Sequence, residues 1–75
     1  MESRDAELAA AVMDYLVEFP KAMDTLKGIA EWWINRRKVR ADVEDLMRVL
    51  GRLIDLGFLE QIGTGEGAHY RLRQN

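Results

Sequence analysis

The chain has no cysteine, one histidine, one proline and no apolar run long enough to span a bilayer. Without cysteine there is no disulfide framework and no thiolate metal site, and His69 alone cannot supply a catalytic dyad or a multi-histidine zinc site. No metal or cofactor is therefore expected. Nothing approaches the ~18 apolar residues of a membrane span, and Met1-Glu2-Ser3-Arg4-Asp5 is acidic where a secretory signal is basic. The expectation is a soluble, cytoplasmic protein with no membrane partner. Seventy-five residues are expected to form one domain, 1–75. A chain this short buries little more than ~60% of its unfolded surface, which leaves room for one modest core and no large cleft for a small-molecule substrate.

A strong charge of either sign is also lacking, since the net charge is -2, which argues against an indiscriminate nucleic-acid binder. The distribution is uneven. Residues 1–35 carry three basic side chains against seven acidic ones, and residues 36–75 carry eight against six. The densest positive cluster is Arg36-Arg37-Lys38-Val39-Arg40.

What is present is helical periodicity followed by a glycine-tipped hairpin. Ser3 or Asp5 can cap a first helix, about 4–19, in which Leu8, Val12, Tyr15, Leu16 and Phe19 share one face until Pro20 removes the next amide. Lys21-Ala22-Met23 reads as a short connection. Asp24 or Thr25 can cap a second helix, about 25–34, with Leu26, Ile29, Ala30 and Trp33 on its apolar face and Trp32 off it. A third helix, about 42–56, carries Val43, Leu46, Met47, Leu50, Leu53 and Ile54, and Gly57 stands where a left-handed residue ends many helices. Residues 58–62 and 68–73 then read as two strands around Gly63-Thr64-Gly65-Glu66-Gly67, a tip suited to positive φ. Ala68, Tyr70 and Leu72 alternate with His69, Arg71 and Arg73. The expected core is Leu8, Val12, Leu16, Phe19, Leu26, Ile29, Trp33, Val43, Leu46, Leu50, Leu53, Leu59, Tyr70 and Leu72.

The runs Leu26-Lys27-Gly28-Ile29-Ala30-Glu31-Trp32-Trp33-Ile34, Val43-Glu44-Asp45-Leu46-Met47-Arg48-Val49-Leu50, Leu53-Ile54-Asp55-Leu56-Gly57-Phe58-Leu59-Glu60 and His69-Tyr70-Arg71-Leu72 resemble the bacterial winged helix-turn-helix superfamily. The resemblance covers roughly residues 5–73. It implies an α+β winged helix with a three-helix core and a C-terminal two-stranded β-hairpin wing, and it implies DNA binding and transcription regulation. On that pattern Arg36, Arg37, Lys38 and Arg40 contact phosphates, Arg48 and Arg52 are the groove readers, and His69, Arg71 and Arg73 extend the patch along the wing.

Other features point elsewhere. Asp42, Glu44 and Asp45 crowd the first turn of the third helix, where carboxylates suit the helix dipole but repel phosphates. Glu44 with Arg48 and Arg52 with Asp55 have the spacing of ordinary helix ion pairs. Glu66 sits at the wing tip. Trp32, off its helix stripe, has the character of an interface anchor, and Val49 and Leu56 could join it in an exposed patch that holds a homodimer or another protein. An adaptor without DNA binding is thus the alternative. Catalysis is not expected, because no Ser/His/Asp set exists and Gly63-x-Gly65-x-Gly67 lies in a hairpin rather than between a strand and a helix.

Overall fold

The computed structural model describes residues 3–34 and 42–73, which form an α+β arrangement of three helices and a three-stranded antiparallel sheet. Helix α1 is Ser3–Glu18, strand β1 is Met23–Thr25, and helix α2 is Leu26–Gly28, continued by a π-turn over Ile29–Trp33. Helix α3 is Val43–Asp55, and strands β2 and β3 are Leu59–Ile62 and His69–Leu72. The helices and the two hairpin strands agree with the periodicity to within a residue at each end.

The sheet corrects the expected two-stranded wing. Met23–Thr25, read from sequence as connection, pairs antiparallel with β3, Met23 opposite Arg71 and Thr25 opposite His69, so the order is β1-β3-β2. On the other edge of β3, Leu59 lies opposite Leu72 and Ile62 opposite His69. Three residues are too few to display strand alternation. The segment becomes a strand because β3 offers it unpaired amides and carbonyls once the chain folds back.

Helix α1 buries Leu8, Ala11, Val12 and Leu16. It ends before Pro20, as the missing amide requires, and the Phe19 amide still donates to the Tyr15 carbonyl at 2.8 Å. Phe19, expected in the core, is instead half exposed. Its ring lies against Tyr15 with centroids 4.9 Å apart, and Tyr15 stacks on the buried Trp33 at 4.9 Å and 10°. Offset stacking of this kind adds ~0.5–1.5 kcal/mol to the area buried.

Helix α2 starts at Thr25, whose hydroxyl accepts from the Gly28 amide at 3.2 Å. Asp24, the other candidate cap, folds back so that its Oδ1 accepts from the Thr25 amide at 2.8 Å. A Cβ on Gly28 would fall about 2.0 Å from that carboxylate oxygen, so glycine is what lets Asp24 lie there. The Ile34 amide then donates to the Ile29 carbonyl five residues back, at 3.3 Å. In an α-helix Ile34 would point about 140° away from Ile29. The wider turn brings Ile29, Trp33 and Ile34 onto one buried face.

Helix α3 is capped by Asp42, whose Oδ1 accepts from the Asp45 amide at 2.8 Å, and it ends through Gly57 at φ 85°. Its buried stripe is Leu46, Val49, Leu50 and Leu53. That is turned about the helix axis from the expected one. Val49, expected in an exposed patch, is 1% exposed, whereas Val43 and Met47, expected on the buried stripe, are 54% and 55% exposed. The reason is the packing of α1 on α3, which covers the Val49 side and leaves the Val43 and Met47 side bare. Leu26, Tyr70 and Leu72, expected in the core, pack against it partly buried, while Ala11, Ile34 and Ala68 join the buried set. At the hairpin tip Gly63 and Gly65 have positive φ, and Gly67 belongs to a 3-10 turn without it.

Gly51 has no such role. It lies within α3, its φ is ordinary, and a Cβ there meets no described atom within 4 Å. In dilute solution Gly51→Ala should therefore raise stability by ~0.5–1 kcal/mol, whereas Leu50→Ala should lower it by ~2–5 kcal/mol. Urea unfolding of the two variants checks both signs.

Candidate functional site

Asp5 falls three residues before Leu8 and seven before Val12, in step with the buried stripe of α1, and it is only 8% exposed. A carboxylate carried on an apolar face needs a partner. Arg48 of α3 supplies it with a two-pronged contact: Nε donates to Asp5 Oδ2 at 3.0 Å and Nη2 to Asp5 Oδ1 at 2.9 Å. The same Nη2 donates to Asp45 Oδ1 at 2.8 Å, and Arg4 Nη1 lies 3.8 Å from Asp45 Oδ2. Two acids and two arginines thus form one chain of contacts where α1 meets α3. The hydrogen bonds from Arg48, opposed by desolvation and aided by its charge, hold the Asp5 carboxyl below the usual aspartate range. In return the contacts with Asp5, then Asp45, raise the Arg48 guanidinium further above neutrality.

The helix pairings expected from spacing are corrected by this arrangement. Arg48 goes to Asp5 and Asp45 rather than to Glu44, and no ion pair joins Arg52 to Asp55 among the described residues. Sequence reasoning missed Asp5. The signal was there, since an acid in register with an apolar stripe is a charge that must be matched.

Reading guanine would require Arg48 to present a pair of donors to the base edge. Here Nε and Nη2 are already engaged. Arg52, one turn on, remains exposed, and with Asp5, Arg48 and Val49 it lines a groove of about 290 Å³. Arg71 on β3 donates from Nε to Glu60 across the strand pair, and His69 stands opposite Ile62. Arg73 is exposed beyond β3, its amide donating to the Phe58 carbonyl at 2.9 Å. Its Nη1 comes within 3.5 Å of where a Gly57 Cβ would sit. Arg36, Arg37, Lys38 and Arg40 lie outside the described residues.

The candidate protein-contact residues separate. Val49 is core. Trp32 and Leu56 remain exposed at 65% and 53%. The π-turn explains Trp32, because each residue of the wider turn advances less than the ~100° of an α-helix. Trp33 and Ile34 turn inward as a result, and Trp32 is carried away from the core. Among the described residues no group of three His, Cys, Asp or Glu could hold a metal ion, and no described helix is long and apolar enough to cross a membrane.

A depressed carboxyl contributes stability above its unfolded pKa, and that contribution is lost as pH falls through the lower folded value. Asp5→Asn should therefore melt at a lower temperature than the parent at pH 7. The two should converge under acid, below the folded-state pKa of Asp5. Thermal melts across a pH series read this, and parallel curves would refute the assignment. No protein-family model, curated protein or solved structure matches this chain.

Proposed function

We propose that the chain is a non-catalytic winged-helix module that binds protein and keeps its third helix out of the DNA groove. Three helices in the expected order, the last running through Gly57 into the hairpin, support the winged-helix reading. The observation that carries the function is the hold on Arg48. The central candidate for base reading is committed to Asp5 and Asp45, and freeing it would strand a buried carboxylate. Asp42, Glu44 and Asp45 precede it in the turn that would have to enter first, and Arg71 is paired with Glu60. The surface also leaves Trp32, Val43, Met47, Leu56 and Phe58 at least half exposed. Large apolar side chains at the surface, Trp32 above all, are the kind of anchor that a protein-binding surface uses.

The second reading is sequence-independent contact of DNA phosphates through Arg36, Arg37, Lys38 and Arg40. It is favoured by four basic side chains within five residues, and it needs no insertion of α3.

An amide NMR titration of the labelled chain with a short mixed-sequence duplex, at about 50 mM and then about 200 mM salt, separates the two. The expected result is no salt-sensitive shift on α3 or β3. Shifts on Arg48, Arg52 and the wing would overturn the protein-binding proposal in favour of groove reading. Shifts confined to residues 36–40 would select phosphate contact.

A further inference from the structure

The groove of about 290 Å³ where the first turn of α1 meets α3 is lined by Asp5, Arg48, Val49 and Arg52. Its hydrogen-bonding groups are unequally used. A guanidinium has five N–H donors, and Arg48 gives its Nε hydrogen and one Nη2 hydrogen to Asp5 and the other Nη2 hydrogen to Asp45. Both donors that remain are on Nη1, and neither has an acceptor among the described residues. Each Asp5 oxygen already accepts from Arg48, so the spare capacity of the groove is to donate. Arg52, one turn further along the same side of α3, is exposed and makes no ion pair among the described residues. Two guanidiniums thus share one groove, the first fixed by two carboxylates and the second unmatched in that set.

We infer that this groove is the docking site for a side-chain carboxylate of an acidic partner segment, a glutamate or aspartate received between Arg48 Nη1 and the Arg52 guanidinium. The inference rests on the protein-binding reading and names the chemistry of the partner.

Charge selects a carboxylate. Asp5 and Asp45 bring two negative charges against three positive ones on Arg4, Arg48 and Arg52, so this cluster of described residues is one negative charge short of balance. A single carboxylate closes it. A phosphomonoester, with about -1.5 to -2 charges, would leave an excess beside Asp5, which is only 8% exposed. A duplex phosphate is singly charged too, but it arrives with a row of others, which Asp42 and Glu44 at the start of the same helix repel. Size agrees, because sites for whole small molecules hold ~300–1,000 Å³, and this groove of about 290 Å³ suits one side chain. The bonds to Asp5 and Asp45 also aim Arg48 Nη1 before a partner arrives, which lowers the freedom lost on binding.

Amide and arginine side-chain NMR of the full labelled chain, titrated at neutral pH and low salt with a blocked hexapeptide of glutamate, tests the inference. The hexapeptide of glutamine and inorganic phosphate are the controls. The glutamate peptide should shift Asp5, Arg48, Val49 and Arg52, including the Nε–H signals of both arginines, the glutamine peptide should shift none of them, and phosphate should bind more weakly. Arg52→Gln should weaken the glutamate peptide about tenfold, the contribution of one charge-assisted hydrogen bond, with the melting temperature unchanged. Arg52→Lys keeps the charge without the planar fork and should recover part of the loss. Shifts confined to residues 36–40, an equal response to glutamine, tighter binding of phosphate, or an Arg52→Gln protein that binds as the parent does would each overturn the proposal. Its failure is distinct from that of the protein-binding reading: a groove silent to the glutamate peptide, in a chain whose α3 is also silent to duplex, loses the acidic partner alone, whereas duplex-induced shifts on Arg48 and Arg52 lose the reading.

Discussion

A carboxylate removed from water must be paired, and Asp5 sits on the buried face of α1. The way that requirement is met ties the first turn of α1 to α3. Arg48 reaches across from α3 with two prongs to Asp5 and a third bond to Asp45, which brings the first turn of α1 down on one side of α3. That side, with Val49, becomes interior. Among the described residues the opposite side, with Val43, Met47 and Gly51, carries no such pair. The charge pair and the apolar packing of α1 on α3 thus cover the same flank of the helix.

The second determinant is aromatic. Trp33 is nearly inaccessible and lies flat against Tyr15, which in turn shields Phe19. Holding both Trp33 and Ile34 inside demands that α2 widen by one residue at its end, and the Ile34 to Ile29 hydrogen bond records that widening. The displaced Trp32 is the outward counterpart of the same turn. Its exposure is a product of the core packing and does not require separate cause, although it leaves a large indole in water where another surface can cover it.

Most of the backbone was legible beforehand because its signals are local. The spans of α1 and α3, the stop at Pro20, a cap at Asp24 or Thr25 and the Gly57 exit each depend on residues within one or two turns. Strand β1 was not legible, since its three residues are defined by pairing with β3 some 48 positions away, as the register of Met23 with Arg71 shows. Neither was the π-turn, because helical periodicity assumes a constant angle per residue and Ile34 violates it.

The candidate site divides along the same line. Residue order alone established a charge-balanced third helix with an acidic first turn, a basic cluster ahead of it and an off-stripe tryptophan, because composition and spacing do not depend on what folds against them. Which acid Arg48 answers and which of Val49 and Met47 is covered depended on how α1 packs against α3. That packing brings together residues 43 positions apart, Asp5 and Arg48, and no local pattern encodes a contact at that range.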